Sequence, residues 1–477
     1  MNLNKLFSED IKILNVGSPS FNKDYKRQAV EYVHVDWKIP ANGDEAILQA
    51  LKKIYANLDK VKLANEKAIK NVKLSNAYLV GVKKAIDVIP NMTSHTILHA
   101  GPFIAWERMA GPAQGAIIGA LMYEGLAETK EDAIQLIENN KITFSPCHEH
   151  SAVGPMAGII SASMPVHVIH NEYNDTYAYA TINEGLGKVL RYGANSSEVI
   201  KRLKWMEEVL APVLDEALHK VEKIDIKNLI AQGLQMGDEC HNRNKAATAT
   251  FLKEIITPIL KTGFTMAIKE EAIDFLVKNE HYFLNLSMPA CKVMLDTATR
   301  IKNSSLVTVM ARNGVDFGIK VSGLGNTWYT YQANYIEGLY FSGYSQKNAA
   351  RDIGDSAITE TFGIGGFCMG AAPAIVQFVG GNVEDAIGFT KTMYTITMSE
   401  NKNYMLPAVD FKGIPQGIDL LKVVESGVLP VINTGIAHKE AGVGQIGAGI
   451  VHPPFEVFKK AILAFAANME DDEWLKY

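Results

Sequence analysis

The chain has 477 residues, with 47 Lys and Arg against 52 Asp and Glu and a formal charge of −5. The length is enough for about three domains, and the near-balance of charge leaves no basic footprint for nucleic acid. Apolar residues at 47% and charged ones at 21% exclude a disordered chain. Four cysteines, Cys147, Cys240, Cys291 and Cys368, lie far apart with no C-x-x-C pair. They exclude a disulfide scaffold and a Cys-rich zinc site, and fit a reducing compartment. The opening MNLNKLFSEDIKI is charged and lacks an apolar signal core, so a cytoplasmic location is expected.

Residues 11 to 37 predict strand, turn, helix and strand: Ile11 to Val16, Gly17-Ser18-Pro19, Phe21 to Val30, then Tyr32 to Trp37. An amphipathic helix follows from Asp44 to Leu58. Alternating strands and helices predict a Rossmann-like α/β unit over 1–90, without the G-x-G-x-x-G fingerprint that NAD requires. Residues 91–195 are expected to form an α+β domain carrying candidate site loops. Residues 196–280 predict a helical subdomain. It holds a helix capped by Asn195 or Ser196 and kinked at Pro212, a helix from Asp225 to Met236 stopped by Gly237, and a third from Ala246 to Leu260. From Tyr282 the texture turns to short β-rich runs punctuated by Gly, predicting a Gly-rich α+β body over 281–477 that ends in an amphipathic helix at 453–466. The uncharged stretch 361–383 is long enough for a membrane span, yet its six Gly and Pro373 mark a packed interior segment. The expected class is therefore multi-domain α/β and α+β.

Four polar islands place reactive side chains beside Gly or Pro. The first runs from His99 through Trp106, Glu107 and Arg108 to Pro112. Arg108 there is either an anion fork or one half of an Arg–acid pair. The second is Pro146-Cys147-His148-Glu149-His150-Ser151. On a strand its two histidines would share a face, suited to acid–base work before metal binding; the alternative is one functional histidine and one merely hydrogen-bonded. The third, Gly237 to Asn244, crowds a helix boundary with more polar groups than capping needs; Cys240 is a weak candidate nucleophile. The fourth joins Arg312-Asn313-Gly314, Ser322-Gly323 and Asp352 to Gly366. Its Gly turns could cradle an anion, and Asp352 and Asp355 could hold Mg²⁺ or cap a helix. The stretch Glu184-Gly-Leu-Gly-Lys188-Val189 falls short of a phosphate loop, because it lacks the full spacing and the hydroxyl.

Taken together, Leu14-Asn15-Val16-Gly17, Val33-His-Val-Asp-Trp37, HAGPFIAWERMAGP, PCHEHSAVGPMAG, NEGLGKVLRYGA, QMGDECHNRNKAAT, ARNGVDFGIKVSGLG and DIGDSAITETFGIGGF resemble the YlbE/YahG family over nearly the full length. Members are encoded beside FdrA, a succinyl-CoA-synthetase-like protein, and the N-terminal unit is also similar to a strand–turn–helix piece of FdrA. The resemblance implies one subunit of an oxamate carbamoyltransferase in purine and allantoin catabolism. An FdrA-like protein and a third small subunit are the implied partners, and carbamoyl phosphate is the implied product. The transcarbamoylase motifs S-x-R-T-R and H-P-x-Q are absent, so any such transfer uses a different site. The implied chemistry needs a proton donor, oxyanion donors, a cation and a phosphate pocket, and His148, His150 and Glu107 are the expected catalytic groups. Arg108, Asn242, Arg243, Arg312, Asn313 and Ser322 are expected on the substrate, and Ser356, Thr361, Gly363 and Gly365 on phosphate. Phosphate or carbamoyl phosphate enters as substrate, the metal is unknown with Mg²⁺ open to the aspartates, and a homo-oligomer is not excluded. The rival readings are a CoA-ligase-like or acyl-transfer enzyme and a non-catalytic scaffold for FdrA-like partners.

Overall fold

The structure is a computed structural model that describes residues 12–35, 37 and 39–469. The strands Lys12–Val16 and Glu31–Val35 pair in parallel around the helix Asn22–Arg27, as the alternation predicts. Ile11 and the residues past 469 lie outside the described residues. Leu14 pairs with Val33 and Val16 with Val35, so these four apolar side chains share one face, and all four are exposed.

Beyond this unit the chain interleaves rather than running domain by domain. The strand Tyr78–Lys84 sits inside an antiparallel sheet with Pro165–Asn171, Thr176–Thr181 and Ile224–Asp225. The helix Glu45–Tyr55, capped by Asp44, buries Ile47, Leu51 and Ile54 in a core shared with Phe458 and Ile462 of the C-terminal helix Phe455–Asn468. A larger core gathers the helices Gly111–Tyr123, Ala211–Val221, Ile226–Gln235 and Lys245–Leu260. Asp225 caps the third of these through the Asn228 amide, and Pro212 follows a π turn at Met206–Leu210 where a kink is expected.

Two expectations of β structure are corrected. Leu284–Asp296 is a 13-residue helix in which Asn285 to Leu295 are all buried, so no polar face betrays a helical period. The segment from Asp352 contributes only the strand Ile353–Gly354. It then turns into the helix Ile358–Phe362 and the 3₁₀ turns of Gly365–Ala371, because Gly363 and Gly365 adopt positive φ that breaks any strand. Residues 361 to 372 are all buried, in keeping with a packed interior. No helix among the described residues is long and apolar enough to cross a membrane.

Candidate functional site

The strands Thr96–His99 and Thr143–Pro146 run parallel in register, His99 opposite Pro146. Their carboxyl ends therefore deliver the first two polar islands side by side, the end of a parallel pair where ligand sites commonly lie. Instead of continuing as a strand, Cys147–His150 forms a 3₁₀ turn, so His148 and His150 point apart. His148 is buried, with its Nε2 3.6 Å from the Asp355 carboxylate. His150 is held elsewhere, Nδ1 2.7 Å from the Pro90 carbonyl and Nε2 2.8 Å from the Ser145 hydroxyl.

Asp355 joins the two halves of the chain. Its carboxylate accepts the amides of Gly101 at 2.8 Å and Gly154 at 3.0 Å. Burial pushes its acid up to about 7, against the pull of those amides and of Arg312. Gly101 has φ +78, and a Cβ there would lie 2.5 Å from the Arg312 carbonyl carbon, so only glycine fits this approach. Burial, with Lys292 and Lys320 nearby, holds the His148 imidazole well below its ordinary range.

Arg312 is wholly buried, and both terminal nitrogens of its fork are hydrogen-bonded. Nε lies 2.8 Å from Asp352, one terminal nitrogen donates to the Gly354 carbonyl (2.8 Å) and the Ser356 hydroxyl (3.2 Å), and the other donates to the Thr434 hydroxyl (3.2 Å). All of these partners lie inside the protein, so the fork expected on substrate is turned inward in this structure. Several other expected groups are likewise committed inside the protein. Asn313 donates to the Pro102 carbonyl and accepts the amides of Val315 and Asp316. Ser322 donates to the Ala298 carbonyl, and Thr361 bonds back to the Ala357 carbonyl of its own helix. The Gly363 amide closes the helix end on Thr359 and Glu360, and the Gly365 amide donates to the Glu239 carbonyl, so neither is free for a phosphate. Glu107 and Arg108 are exposed on a surface turn, where Arg108 forks onto Asp316 at 2.9 and 3.1 Å, the Arg–acid pair.

The third island opens on space. Asn242, Arg243, Lys245, His281, Tyr340 and Gln445 are among the residues around a cleft of about 520 Å³. Asn242, His281, Gln445 and Leu186 also border a narrow inner recess of about 30 Å³, enough for one or two water-sized groups. His241, Ser356, Thr434 and Arg191 line that recess. Thus Ser356, Asn242 and Arg243 come together here, whereas Arg108, His150 and Ser322 do not. The Asn242 side-chain nitrogen is buried without a partner, a free donor at the cleft wall. Arg243 is steered by the Gly237 carbonyl at 3.0 Å and by Asp238 at 3.3 Å, while Asp238 also caps the helix Lys245–Leu260 through the Ala247 amide.

Beneath the recess lies a network that motif reading passed over. His241 Nδ1 sits 2.7 and 2.9 Å from the two oxygens of Glu360. Glu360 also accepts the Thr359 hydroxyl at 2.9 Å and the Gly366 amide at 2.7 Å. Glu239 accepts the amides of His241 and Arg243, and burial raises its acid to about 8, so it holds a proton at neutral pH. The third island was the only signal for His241; Thr434 and Gln445 come from strands without any motif. Cys240 is buried, and burial pushes its thiol well above the ordinary range, which removes it as a nucleophile. The rejected phosphate-loop fragment edges the cleft with Leu186 and Gly187, while the Glu184 carboxylate occupies the amides of Leu190 and Arg191.

Asp352 faces Arg312 Nε at 2.8 Å with its oxygens otherwise unpartnered, and Asp355 accepts two backbone amides. Among the described residues no group of three or more His, Cys, Asp or Glu is placed to hold a metal ion.

The fold and cleft define a multi-domain α/β and α+β protein with a small-molecule-sized cleft of mixed polar and apolar lining. The family model described as oxamate carbamoyltransferase subunit AllG matches residues 142–356. The uncharacterized protein YahG of Escherichia coli K12 is 47% identical over 462 residues, 96% of this chain and 98% of that protein. Oxamate carbamoyltransferase subunit AllG of the same organism is 44% identical over 409 residues, 85% of this chain and 98% of its own. A crystal structure of a conserved protein of unknown function from Enterococcus faecalis V583 superposes with a TM-score of 0.85 at 49% identity, covering 86% of this chain and 98% of that one. The chain therefore belongs to the YahG/AllG family.

Proposed function

We propose that the chain is a subunit of a carbamoyltransferase acting on oxamate, oxalurate or a similar small amide acid, with carbamoyl phosphate as the product of the catabolic direction. The observation that carries this reading is the 44% identity to a protein named oxamate carbamoyltransferase subunit AllG along 98% of that protein. The cleft suits such a substrate. Arg243 and Lys245, paired in this structure with Asp238 and Glu280, bring positive charge to the cleft, Asn242 offers a free amide donor, and the Ser356 and Thr434 hydroxyls reach the recess. The partners in this reading are an FdrA-like protein and a third small subunit, in the cytoplasm, within purine and allantoin breakdown. The test is to mix the three purified proteins with oxalurate and phosphate and to measure carbamoyl phosphate, omitting each protein in turn. Turnover that needs all three supports the proposal; robust turnover by this chain alone removes the partner requirement, and none in any mixture removes the reaction.

A further inference from the structure

The two ring nitrogens of His241 meet different surroundings. Nδ1 faces the Glu360 carboxylate, which also receives an amide from Gly366, and the Thr359 hydroxyl lies 3.1 Å away with the Ser356 carbonyl as its nearest acceptor at 2.7 Å. With the Gly366 amide already donating to it, the carboxylate is the acceptor in its contact with the ring. Nδ1 therefore carries the ring proton, and in the neutral ring the Nε2 lone pair is free. The ring borders the inner recess beside Asn242, Ser356 and Thr434. We propose that His241 is the proton-transfer residue of this cleft, oriented by Glu360. The assignment rests on reading the cleft as the carbamoyl-transfer site.

The chemistry needs such a group. An amide nitrogen is a poor nucleophile, because its lone pair is shared with the carbonyl. In the synthetic direction it attacks the carbamoyl carbon of carbamoyl phosphate and the C–N bond forms. The C–O bond to phosphate breaks, and its electron pair leaves with the phosphate. The surplus proton on nitrogen passes to His241 Nε2, and the ring then returns it to the departing phosphate. In the catabolic direction a phosphate oxygen forms the C–O bond, and the C–N pair goes to the amide nitrogen. His241 Nε2–H supplies that nitrogen's proton and is restored by the proton the attacking phosphate gives up. Glu360 is a positioning residue, since it acts through the ring.

The charged and titratable groups around the ring are Glu239 and Arg243 on its own segment, Glu360 on the helix Ile358–Phe362, Arg191 across the recess, and His281 beside it. Protonated Glu239 keeps a second negative charge away from Glu360. His281, pushed down to about 4 by burial, stays neutral through the physiological range.

The experiment compares wild type, His241→Asn and Glu360→Gln in the three-protein complex, with oxamate and carbamoyl phosphate as probes. Values of kcat and KM are followed across pH, beside melting curves. A general base in the synthetic direction should give wild type an acid limb in its kcat profile. His241→Asn should lower kcat by roughly a hundredfold or more with KM nearly unchanged, and should flatten that acid limb. Glu360→Gln should lower kcat by about tenfold or more while its melting curve stays close to wild type. An active complex in which His241→Asn keeps its kcat, or keeps the acid limb, overturns the assignment alone. A wild-type complex with no transfer overturns both the assignment and the reading it rests on. If His241→Asn does not fold, Glu360→Gln decides: full kcat overturns the proposal, and a loss of kcat at unchanged KM supports it.

Discussion

Two Cys-His pairs, Cys147-His148 and Cys240-His241, look alike in sequence and end in opposite circumstances. In both, burial pushes the thiol well up, so the cysteines are inert packing. His148 has no hydrogen bond at either ring nitrogen and sits 3.6 Å from an acid that burial has raised to about 7. His241 is gripped at one nitrogen by a carboxylate stocked with donors, and its ring borders a recess. A polar turn thus opens onto a cleft when one side of it is satisfied by the protein and the other side meets space. The same residues packed against bulk, with Trp328 edge-on to His148 at 5.9 Å, become a joint between chain halves.

That contrast can be broken most sharply at Arg312. Arg312→Met leaves Asp352 buried without its cation, and stability should fall by about 3–5 kcal/mol in denaturant melts. A loss below about 1 kcal/mol would mean that the brace carries little. The next effect concerns pH. Glu239 rises from an ordinary carboxylate range in the unfolded chain to about 8 in the folded one. The folded chain therefore holds a proton that the unfolded chain releases from about pH 4.5 upward. Its contribution is fully present below that point and is lost as pH rises through 8. Glu239→Gln should consequently be more destabilising at pH 5 than at pH 8, by on the order of 2 kcal/mol, and paired melts at the two pH values measure it. Equal destabilisation at both would place the acid in its ionised form.

Smaller effects separate cleft from surface. Arg243→Lys keeps charge but loses the planar fork at the cleft wall, and should cost roughly tenfold in kcat/KM with little change in melting. Arg108→Ala removes an ion pair whose arginine side chain is 58% exposed. It should cost less than about 1 kcal/mol and leave turnover per folded molecule intact. If Arg108→Ala proves the more damaging of the two in turnover, cleft and surface have been assigned the wrong way round.

Periodic segments were legible in advance: the parallel N-terminal pair, the helices Ile226–Gln235 and Lys245–Leu260, and the C-terminal helix. The helix Leu284–Asp296 was not, because a helix buried on every side shows no alternation of polar and apolar faces. The polar islands stood out by their Gly and Pro neighbours. What each side chain would touch did not, since the partners come from remote positions: Glu360 lies 119 residues from His241, and Thr434 lies 122 from Arg312. Residue type at Arg312, Ser322 and Thr361 suggested ligands, whereas burial turned those groups inward to satisfy the backbone and one another.

The Asp355 cradle has a consequence for how the protein is made. The amide of Gly101 and the carboxylate that receives it are 254 residues apart in the chain. At a synthesis rate of about 5–20 residues per second, Gly101 leaves the ribosome roughly 13–50 s before its acceptor exists. Over that interval the ends of the strands Thr96–His99 and Thr143–Pro146 have no buried acid to close on. Loop closure of this span can begin only once the last third of the chain is emerging. Nascent chains stopped before Asp355 would expose those loops to proteases and chaperones, and emergence of Asp355 is what allows them to close.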